Sequence, residues 1–215
     1  MLWEILKAGR TNNSDDLFTR LAARRVSVSK RGYIVLPHGT GAFNATAKGN
    51  NIIWEYNGER VQGNTCSFNV LRDNGTIRLA FDEALERLEI KNNNALKADL
   101  SDLGGKITSY LNLYNCKNIT GDLADLGGKI TSYLILDNCQ NISGVYSGNV
   151  YPTGINLSYT GVSAEEMDQN LINLNENTSK KGTFTANGMS RTAASDDAIA
   201  GLISKGWTVT GLTKV

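Results

Sequence analysis

Two stretches of the chain are close copies of each other. Asp99–Ile119 reads DLSDLGGKITSYLNLYNCKNI, and Asp122–Ile142 reads DLADLGGKITSYLILDNCQNI. The copies begin 23 residues apart, at positions 99 and 122. A repeat of this length indicates units that cannot bury their apolar faces alone, so that neighbouring units stack and share one core.

The repeat continues in weaker form on both sides of these copies. Residues 85–96 (LERLEIKNNNAL) fit the pattern LxxLxLxxNxxL at every defined position, and residues 155–162 fit the same frame. This pattern is typical of leucine-rich repeats, whose period is about 20–29 residues. It predicts four short strands whose alternate residues point into a shared core. The predicted inward pairs are Leu88/Ile90, Leu111/Leu113, Leu134/Leu136 and Ile155/Leu157.

One position of the repeat, three places after the second inward aliphatic, is expected to be small, buried and hydrogen-bonded to the turn. It holds Asn93, Cys116, Cys139 and Thr160. We therefore interpret the two cysteines as inert core residues, because the repeats contain no histidine that could activate a thiol. Three cysteines also make an odd count, which argues against a disulfide framework.

The chain after the repeats predicts two helices and two strands. Ser163 followed by Glu166 is a capping-box pattern, and apolar residues then recur at helical spacing through residue 174. Residues 182–187 alternate like a strand, residues 195–205 predict a second helix, and residues 207–210 predict a closing strand.

The stretch TFTANGMSRTAASDDAIAGLISKGWTVTG, residues 183–211, resembles the C-terminal end of leucine-rich-repeat proteins encoded by phages and prophages of Bacteroidetes hosts. With the repeats, the resemblance covers about 135 residues, from residue 81 to residue 215. It implies a virion or tail-associated component, or a surface adhesin. It supplies no catalytic residues.

The N-terminal part, residues 26–82, reads as short strands separated by turn signals at residues 49–51 and at Asn57-Gly58. Such spacing favours a small β-sandwich. The strands around Trp54-Glu-Tyr-Asn-Gly58 resemble polycystic-kidney-disease-type or bacterial Ig-like domains. We expect Trp54 in the core rather than on a ligand platform, and Cys66 buried within a strand.

The predicted fold class is mainly β with α. It comprises a small Ig-like β-sandwich over 26–82, a short leucine-rich-repeat solenoid over 83–162 and an α/β C-terminal cap over 163–215. Residues 1–25 are predicted to brace the sandwich or to dock onto another subunit. The docking alternative rests on four apolar residues near the start. One of them is a tryptophan, and aromatic residues are enriched at interfaces. They are Leu2, Trp3, Ile5 and Leu6.

Composition and motifs exclude several classes of function. The net charge is +1 with no clustered basic face, so no nucleic-acid partner is expected. No signal peptide is predicted at the start, and no apolar run is long enough to span a membrane. HExxH, CxxC and GxSxG motifs are absent, and His38 is the single histidine. No catalytic residue, metal or cofactor is therefore expected.

The leading hypothesis is a non-enzymatic structural or recognition protein of a phage particle, made in the host cytoplasm. Its expected partners are other virion or surface proteins and a host glycan or receptor, with a homo-oligomer kept open. Contacts would use polar side chains between the inward aliphatics, although a solvated surface without a ligand fits the same pattern. These candidates are Glu89, Lys91, Asn92, Asn112, Tyr114, Asn115, Asp137, Asn138, Ser158 and Tyr159.

Two alternatives remain at this stage. One is a secreted adhesin on a bacterial cell surface. The other is a glycan depolymerase, which needs two carboxylates roughly 5–9.5 Å apart across a cleft. Glu89 and Asp137 are the acidic candidates, two repeats apart with neutral Asn112 between them.

Overall fold

The computed structural model describes residues 31–215. The predicted docking residues Leu2, Trp3, Ile5 and Leu6 lie outside the described residues, and so does the bracing alternative for residues 1–25. Secondary structure in the described part is mainly β, with one large sheet and two α-helices.

The first part of the chain forms five strands of this sheet. Apolar side chains alternate with exposed polar ones along most of them, as in a sheet with one buried face. The five strands are β1 (Arg31–His38), β2 (Gly41–Tyr56), β3 (Glu59–Gln62), β4 (Thr65–Val70) and β5 (Gly75–Glu89). Strand β2 pairs antiparallel with β3, β4 and β5.

The turn between β2 and β3 follows directly from its sequence. Asn57 and Gly58 both have positive φ, 48° and 84°, and Tyr56 pairs with Glu59 across the two-residue loop. Two positive φ angles define the type I′ turn that asparagine-glycine favours. The predicted hairpin at this position is confirmed.

The later strands are parallel and join the same sheet. They are β6 (Ile107–Asn112), β8 (Tyr133–Ile135), β10 (Gly154–Asn156), β11 (Thr183–Arg191) and β12 (Thr208–Lys214), in the order β12-β11-β10-β8-β6-β5-β2-β3. Strands β7 (Thr120–Asp122) and β9 (Asn141–Ser143) form a separate parallel pair. Leu88 pairs with Leu111, Leu111 with Leu134, and Leu134 with Ile155.

The predicted fold class is wrong. Instead of an Ig-like sandwich followed by a leucine-rich-repeat solenoid, ten strands form one mixed sheet, antiparallel at one end and parallel at the other. The reason lies in β5, which is 15 residues long and pairs antiparallel with β2 and parallel with β6. Its two hydrogen-bonding edges are both used, so the first part of the chain and the repeats share one sheet.

A turn was also predicted at residues 49–51, and that prediction is wrong. Strand β2 runs through these residues for 16 positions, with register shifts against β5 between Lys48 and Ile53. Asn51 has a φ of 51°, so an asparagine in the left-handed region produces a bulge and not a chain reversal. Strand β2 therefore continues past the bulge and pairs with β5 from Arg78 to Glu89.

Two helices cover the far end of the sheet, α1 (Ala164–Asn177) and α2 (Asp196–Ser204). The predicted capping box is confirmed: Ser163 Oγ accepts from Glu166 N at 3.2 Å, and Glu166 Oε2 accepts from Ser163 N at 2.8 Å. Asp168 of α1 accepts hydrogen bonds from Thr192 Oγ1 and Ser195 Oγ, which ties α1 to the start of α2. None of the helices in residues 31–215 is long and apolar enough to cross a membrane.

One hydrophobic core runs beneath both parts of the sheet. Trp54 is fully buried in it, as predicted, and its Nε1 donates to Gly63 O at 3.1 Å. Cys116 and Cys139 are also fully buried, and their thiols donate to Ile90 O at 3.2 Å and Leu113 O at 3.0 Å. The predicted burial and turn contacts of these two cysteines are confirmed.

Candidate functional site

The side of the sheet opposite the core carries the polar and aromatic groups that could meet a ligand. Leu88, Leu111 and Leu134 point into the core and are at most 1% exposed. Because successive residues of a strand point to opposite faces, their neighbours point away from the core. We call this side the outer face, defined by residues 87 and 89 of β5, 110 and 112 of β6, 133 and 135 of β8, and 154 and 156 of β10.

A stacked row crosses the outer face on four adjacent strands. Arg87 pairs with Tyr110, Tyr110 with Tyr133, and Tyr133 with Gly154. The Arg87 Cζ atom lies 4.2 Å from the Tyr110 ring centroid, and the two tyrosine rings lie 5.9 Å apart at a tilt of 57°. These distances are those of cation–π and aromatic contacts. We call these four residues the tyrosine row.

Gly154 fixes where the tyrosine row ends. A Cβ at this position would lie 2.2 Å from the Tyr133 ring, so the ring occupies the space that a larger residue would need. Tyr133 remains 49% exposed. The row therefore presents an accessible aromatic face held between a second ring on one side and a glycine backbone on the other.

A second row on the outer face is polar except at Ile135. Its members are Glu89, Asn112, Ile135 and Asn156, which pair in that order across β5, β6, β8 and β10. Asn112 Nδ2 donates to the Tyr110 hydroxyl at 3.2 Å, and Asn112 Oδ1 accepts from Tyr114 N at 3.0 Å. Asn112 therefore holds a ring of the tyrosine row and the turn that follows its own strand.

An asparagine ladder lies just beyond the strand ends. Asn92, Asn115 and Asn138 have φ angles of 55°, 57° and 62°, and asparagine tolerates this left-handed region better than most residues. Asn115 Nδ2 donates to Asn92 Oδ1 at 3.1 Å, and Asn138 Nδ2 donates to Asn115 Oδ1 at 2.7 Å. These amides bind each other, so their first role is to align successive turns.

Glu89 is the most buried charge of the outer face. It is 9% exposed and forms ion pairs with Arg87 and with Lys91, the latter at 3.1 Å. Each carboxylate oxygen therefore contacts one cation. The two cations and the one carboxylate together carry a net charge of plus one.

A pocket of about 400 Å³ opens next to Glu89, where β4 and β2 meet the end of β5. Thr46 pairs with Glu89 on one side and with Thr65 on the other, and directly opposed residues share a face of the sheet. The pocket therefore opens on the outer face, beside the Arg87 end of the tyrosine row. Its lining consists of Asn44, Ala45, Thr46, Thr65, Cys66, Glu89, Lys91 and Asn92.

Cys66 is the one thiol of this pocket. It is 7% exposed, as expected for a residue within a strand, and burial raises the pKa of the thiol to about 12. Burial likewise raises the pKa of Cys116 to about 11 and that of Cys139 to about 12. Nucleophilic cysteines have a lowered pKa, so all three thiols stay protonated and unreactive at neutral pH.

The sequence-predicted contact residues differ widely in accessibility. Lys91, Asn92, Tyr114 and Tyr159 are exposed. The half-buried ones are Asn115, Asp137 and Asn138, and the buried ones are Glu89, Asn112 and Ser158. Tyr159 is 53% exposed, has a φ of 53°, and packs its ring over Gly188.

Sequence reasoning missed Arg87, Tyr110, Tyr133 and Asn156. Tyr110 and Tyr133 stand at the same place in the two repeat copies, in the shared segment ITSYL. They precede the inward Leu111 and Leu134, and strand alternation puts them on the outer face. The signal was therefore in the sequence, one position before the residues that were considered.

The geometry gives little support for acid–base chemistry. Burial raises the pKa of Asp137, while a hydrogen bond from Asn156 lowers it. Its proposed partner Glu89 has both oxygens in ion pairs. His38 is fully buried, with Nε2 2.9 Å from Asn93 Oδ1. Within residues 31–215, no group of three or more His, Cys, Asp or Glu side chains could hold a metal ion.

Comparison with known proteins gives no matching family model, no matching curated protein and no matching solved structure. The functional argument therefore rests on the outer face itself.

Proposed function

We propose that this chain is a non-enzymatic recognition protein that binds a glycan on its outer face. The observation that carries the proposal is the tyrosine row: an exposed ring, Tyr133, held in place by Tyr110 and Gly154 and bordered by amide groups. A pyranose ring offers C–H groups that pack on an aromatic face and hydroxyls that bind amides and carboxylates. Sites of this kind combine apolar area with a few fixed polar groups.

The arrangement favours a sugar chain over nucleic acid. Phosphate binding needs clustered Lys and Arg, whereas this chain has a net charge of +1 and the cations near the row are paired with Glu89. A protein partner would also use exposed tyrosines. The outcome that separates the two is binding to isolated polysaccharide.

The place of action belongs to the proposal as well. Residues 183–211 resemble the ends of phage-encoded proteins, so we propose a phage particle as the location, with virion or surface proteins as further partners. A bacterial surface adhesin is the alternative, and it would use the same face. The sequence resemblance is what favours the particle.

The test is binding of the purified chain to a panel of polysaccharides by calorimetry and affinity electrophoresis. The panel holds neutral dextran and mannan beside acidic polygalacturonate, alginate and hyaluronate. Tyr133→Ala removes the exposed ring. We expect about tenfold weaker binding of any polymer that the wild type binds, which corresponds to about 1.4 kcal/mol.

The matched control is Tyr33→Ala, because Tyr33 is 52% exposed on β1, which pairs with β5 and not with β6 or β8. It should bind as the wild type does. Full binding by Tyr133→Ala, or no polymer bound by the wild type, would overturn the proposal. New reducing ends in the mixture would instead indicate a depolymerase, and Asp137→Asn would then be the variant to assay.

A further inference from the structure

The pocket beside Glu89 adds a chemical preference to the outer face. Its volume of about 400 Å³ lies within the range of roughly 300–1,000 Å³ that small-molecule sites occupy. Its lining has six polar residues, namely two threonines, two asparagines, one lysine and Glu89, and two others, Ala45 and Cys66. Such a lining suits one sugar ring, which presents hydroxyls to the polar side chains and C–H groups to Ala45 and Cys66.

The charges at the pocket and directly beside it favour an anion. Glu89 and Lys91 of the lining carry opposite charges, and Arg87, which contacts Glu89 from outside the lining, leaves one net positive charge among the three groups. The Lys91 side chain is 50% exposed, and an ammonium group has three N–H donors, of which Glu89 takes one. Lys91 can therefore donate to a ligand without losing its ion pair.

Asn92 adds further donors beside Lys91. Its Oδ1 accepts from Asn115 Nδ2 at 3.1 Å, which fixes the orientation of the amide. The Nδ2 group of Asn92 then offers N–H donors, and not an acceptor, to whatever lies next to it. Lys91 and Asn92 both line the pocket, and an ammonium and an amide N–H together match the two oxygens of a carboxylate.

The pocket lies next to the tyrosine row in the sheet. Thr46, Glu89 and Asn112 pair in sequence across β2, β5 and β6, while Arg87 and Tyr110 occupy the neighbouring row. From β8 to β2 there are three strand spacings, or roughly 14 Å at about 4.8 Å each. A sugar chain lying on Tyr133 and Tyr110 can therefore extend into the pocket, whereas a single sugar cannot occupy both.

We propose that this pocket binds the carboxylate of an acidic sugar residue in the glycan that lies on the tyrosine row. The proposal rests on the proposed glycan recognition and makes it specific: uronic-acid-type polymers are preferred over neutral ones. Lys91 and Asn92 hold the carboxylate, and Thr46 and Thr65 face the hydroxyls of the same ring.

The test compares each acidic polymer with its own uncharged form. Polygalacturonate, alginate and hyaluronate are measured before and after chemical reduction of their carboxylates to alcohols, so that the backbone is nearly unchanged. We expect the wild type to bind at least one acidic form about tenfold more tightly than its reduced form, which is about 1.4 kcal/mol. Lys91→Gln should reduce this ratio to about twofold or less.

Two further variants make the result specific. Lys129→Gln makes the same charge change at an exposed lysine of the turn beside Gly105 and should keep the full ratio. Thr65→Trp fills the pocket from an exposed position and should remove the ratio without abolishing binding to the reduced polymer. Circular dichroism confirms that each variant is folded.

The outcomes separate the two proposals. If Tyr133→Ala weakens binding but acidic and reduced polymers bind equally, glycan recognition stands and the acidic preference is overturned. An acidic preference that survives both Lys91→Gln and Thr65→Trp overturns the pocket as its source. If the wild type binds no polymer, both proposals fail together.

Discussion

The antiparallel and parallel ends of the sheet achieve the same burial by different means. In the antiparallel end, long strands β2 and β5 pair along most of their length, and bulges absorb the irregularities. In the parallel end, β6 and β8 belong to two copies that lie 23 residues apart, so that like residues stand opposite one another, as Leu111 opposite Leu134 and Tyr110 opposite Tyr133. Repetition produces rows, and the junction with the unrepeated end produces the pocket.

This difference separates two kinds of surface. A row such as the tyrosine row can be extended or edited one strand at a time, because each unit contributes one side chain. The pocket exists at one place, where β4 and β2 meet β5. A ligand that contacts both therefore binds one repeated feature and one unique feature. Because the pocket occurs at one place, it fixes the position of the ligand along the tyrosine row.

The largest expected effect tests whether the two ends form one folding unit. Leu111→Ala removes a fully buried side chain from the parallel end, and a cavity of this kind costs about 3 kcal/mol. Because one core runs beneath both ends, the whole sheet should unfold together. Urea unfolding is followed by fluorescence in backgrounds that keep only Trp54, in the antiparallel end, or only Trp207, beside β12.

Both fluorophores should report the same lowered midpoint. The control is Val35→Ala, because Val35 is 41% exposed on β1 and its loss should change the free energy of unfolding by less than about 0.5 kcal/mol. An unchanged Trp54 midpoint in Leu111→Ala would mean that the antiparallel end unfolds independently, and the comparison would then be between two units.

The repeats made the parallel register predictable, because identical segments 23 residues apart can be aligned without knowing the fold. The hairpin at Asn57-Gly58 and the capping box at Ser163 were also predictable, since each depends on two or three adjacent residues. The continuity of β2 was not. An asparagine in the left-handed region serves a turn or a bulge equally well, and pairing with β5 decides between them.

The site divides in the same way. The tyrosine row could have been found by counting alternate residues along the repeat. The pocket could not, because it depends on Thr46 lying opposite Glu89, two residues far apart in the chain. The ion pairs of Glu89 are local by contrast, since Arg87 and Lys91 stand two residues before and after it, at the spacing that places side chains on one face of a strand.

A difference of about 2 kcal/mol between two glycine variants distinguishes the turns of the two ends. Gly128 in the parallel end and Gly58 in the antiparallel end both have positive φ, 58° and 84°. A Cβ at Gly128 would lie 2.4 Å from Gly148 Cα, whereas nothing lies within 4 Å of a Cβ at Gly58. Gly58→Ala should therefore cost only the left-handed strain, about 1 kcal/mol. Gly128→Ala adds a backbone clash and should cost about 3 kcal/mol.

Thermal and urea unfolding of the two variants give the comparison directly. Equal losses in the free energy of unfolding would mean that the turn at Gly128 accommodates a Cβ as easily as the open hairpin at Gly58 does. Close packing between neighbouring repeats would then not be what holds them in register.

The smallest effect concerns the asparagine ladder, which has no counterpart at the antiparallel end. Asn115 combines a φ of 57° with hydrogen bonds to Asn92 and Asn138. Asn115→Gly keeps the backbone conformation and removes the ladder, which should cost about 1 kcal/mol. Asn115→Ala removes the ladder and adds left-handed strain, for about 2 kcal/mol in total.

The difference between these two variants isolates the strain, and the glycine variant alone measures the ladder. If Asn115→Gly is as stable as the wild type, the amides contribute no net stability, and the turns of successive repeats are aligned by their backbone hydrogen bonds, such as Asn115 N to Asp137 O at 2.8 Å.

The same variant also bears on the pocket, because Asn115 fixes the Asn92 amide. A loss of acidic preference in Asn115→Gly, without a loss of stability, would show that the ladder serves recognition first. Its role would then be to orient the Asn92 amide in the pocket.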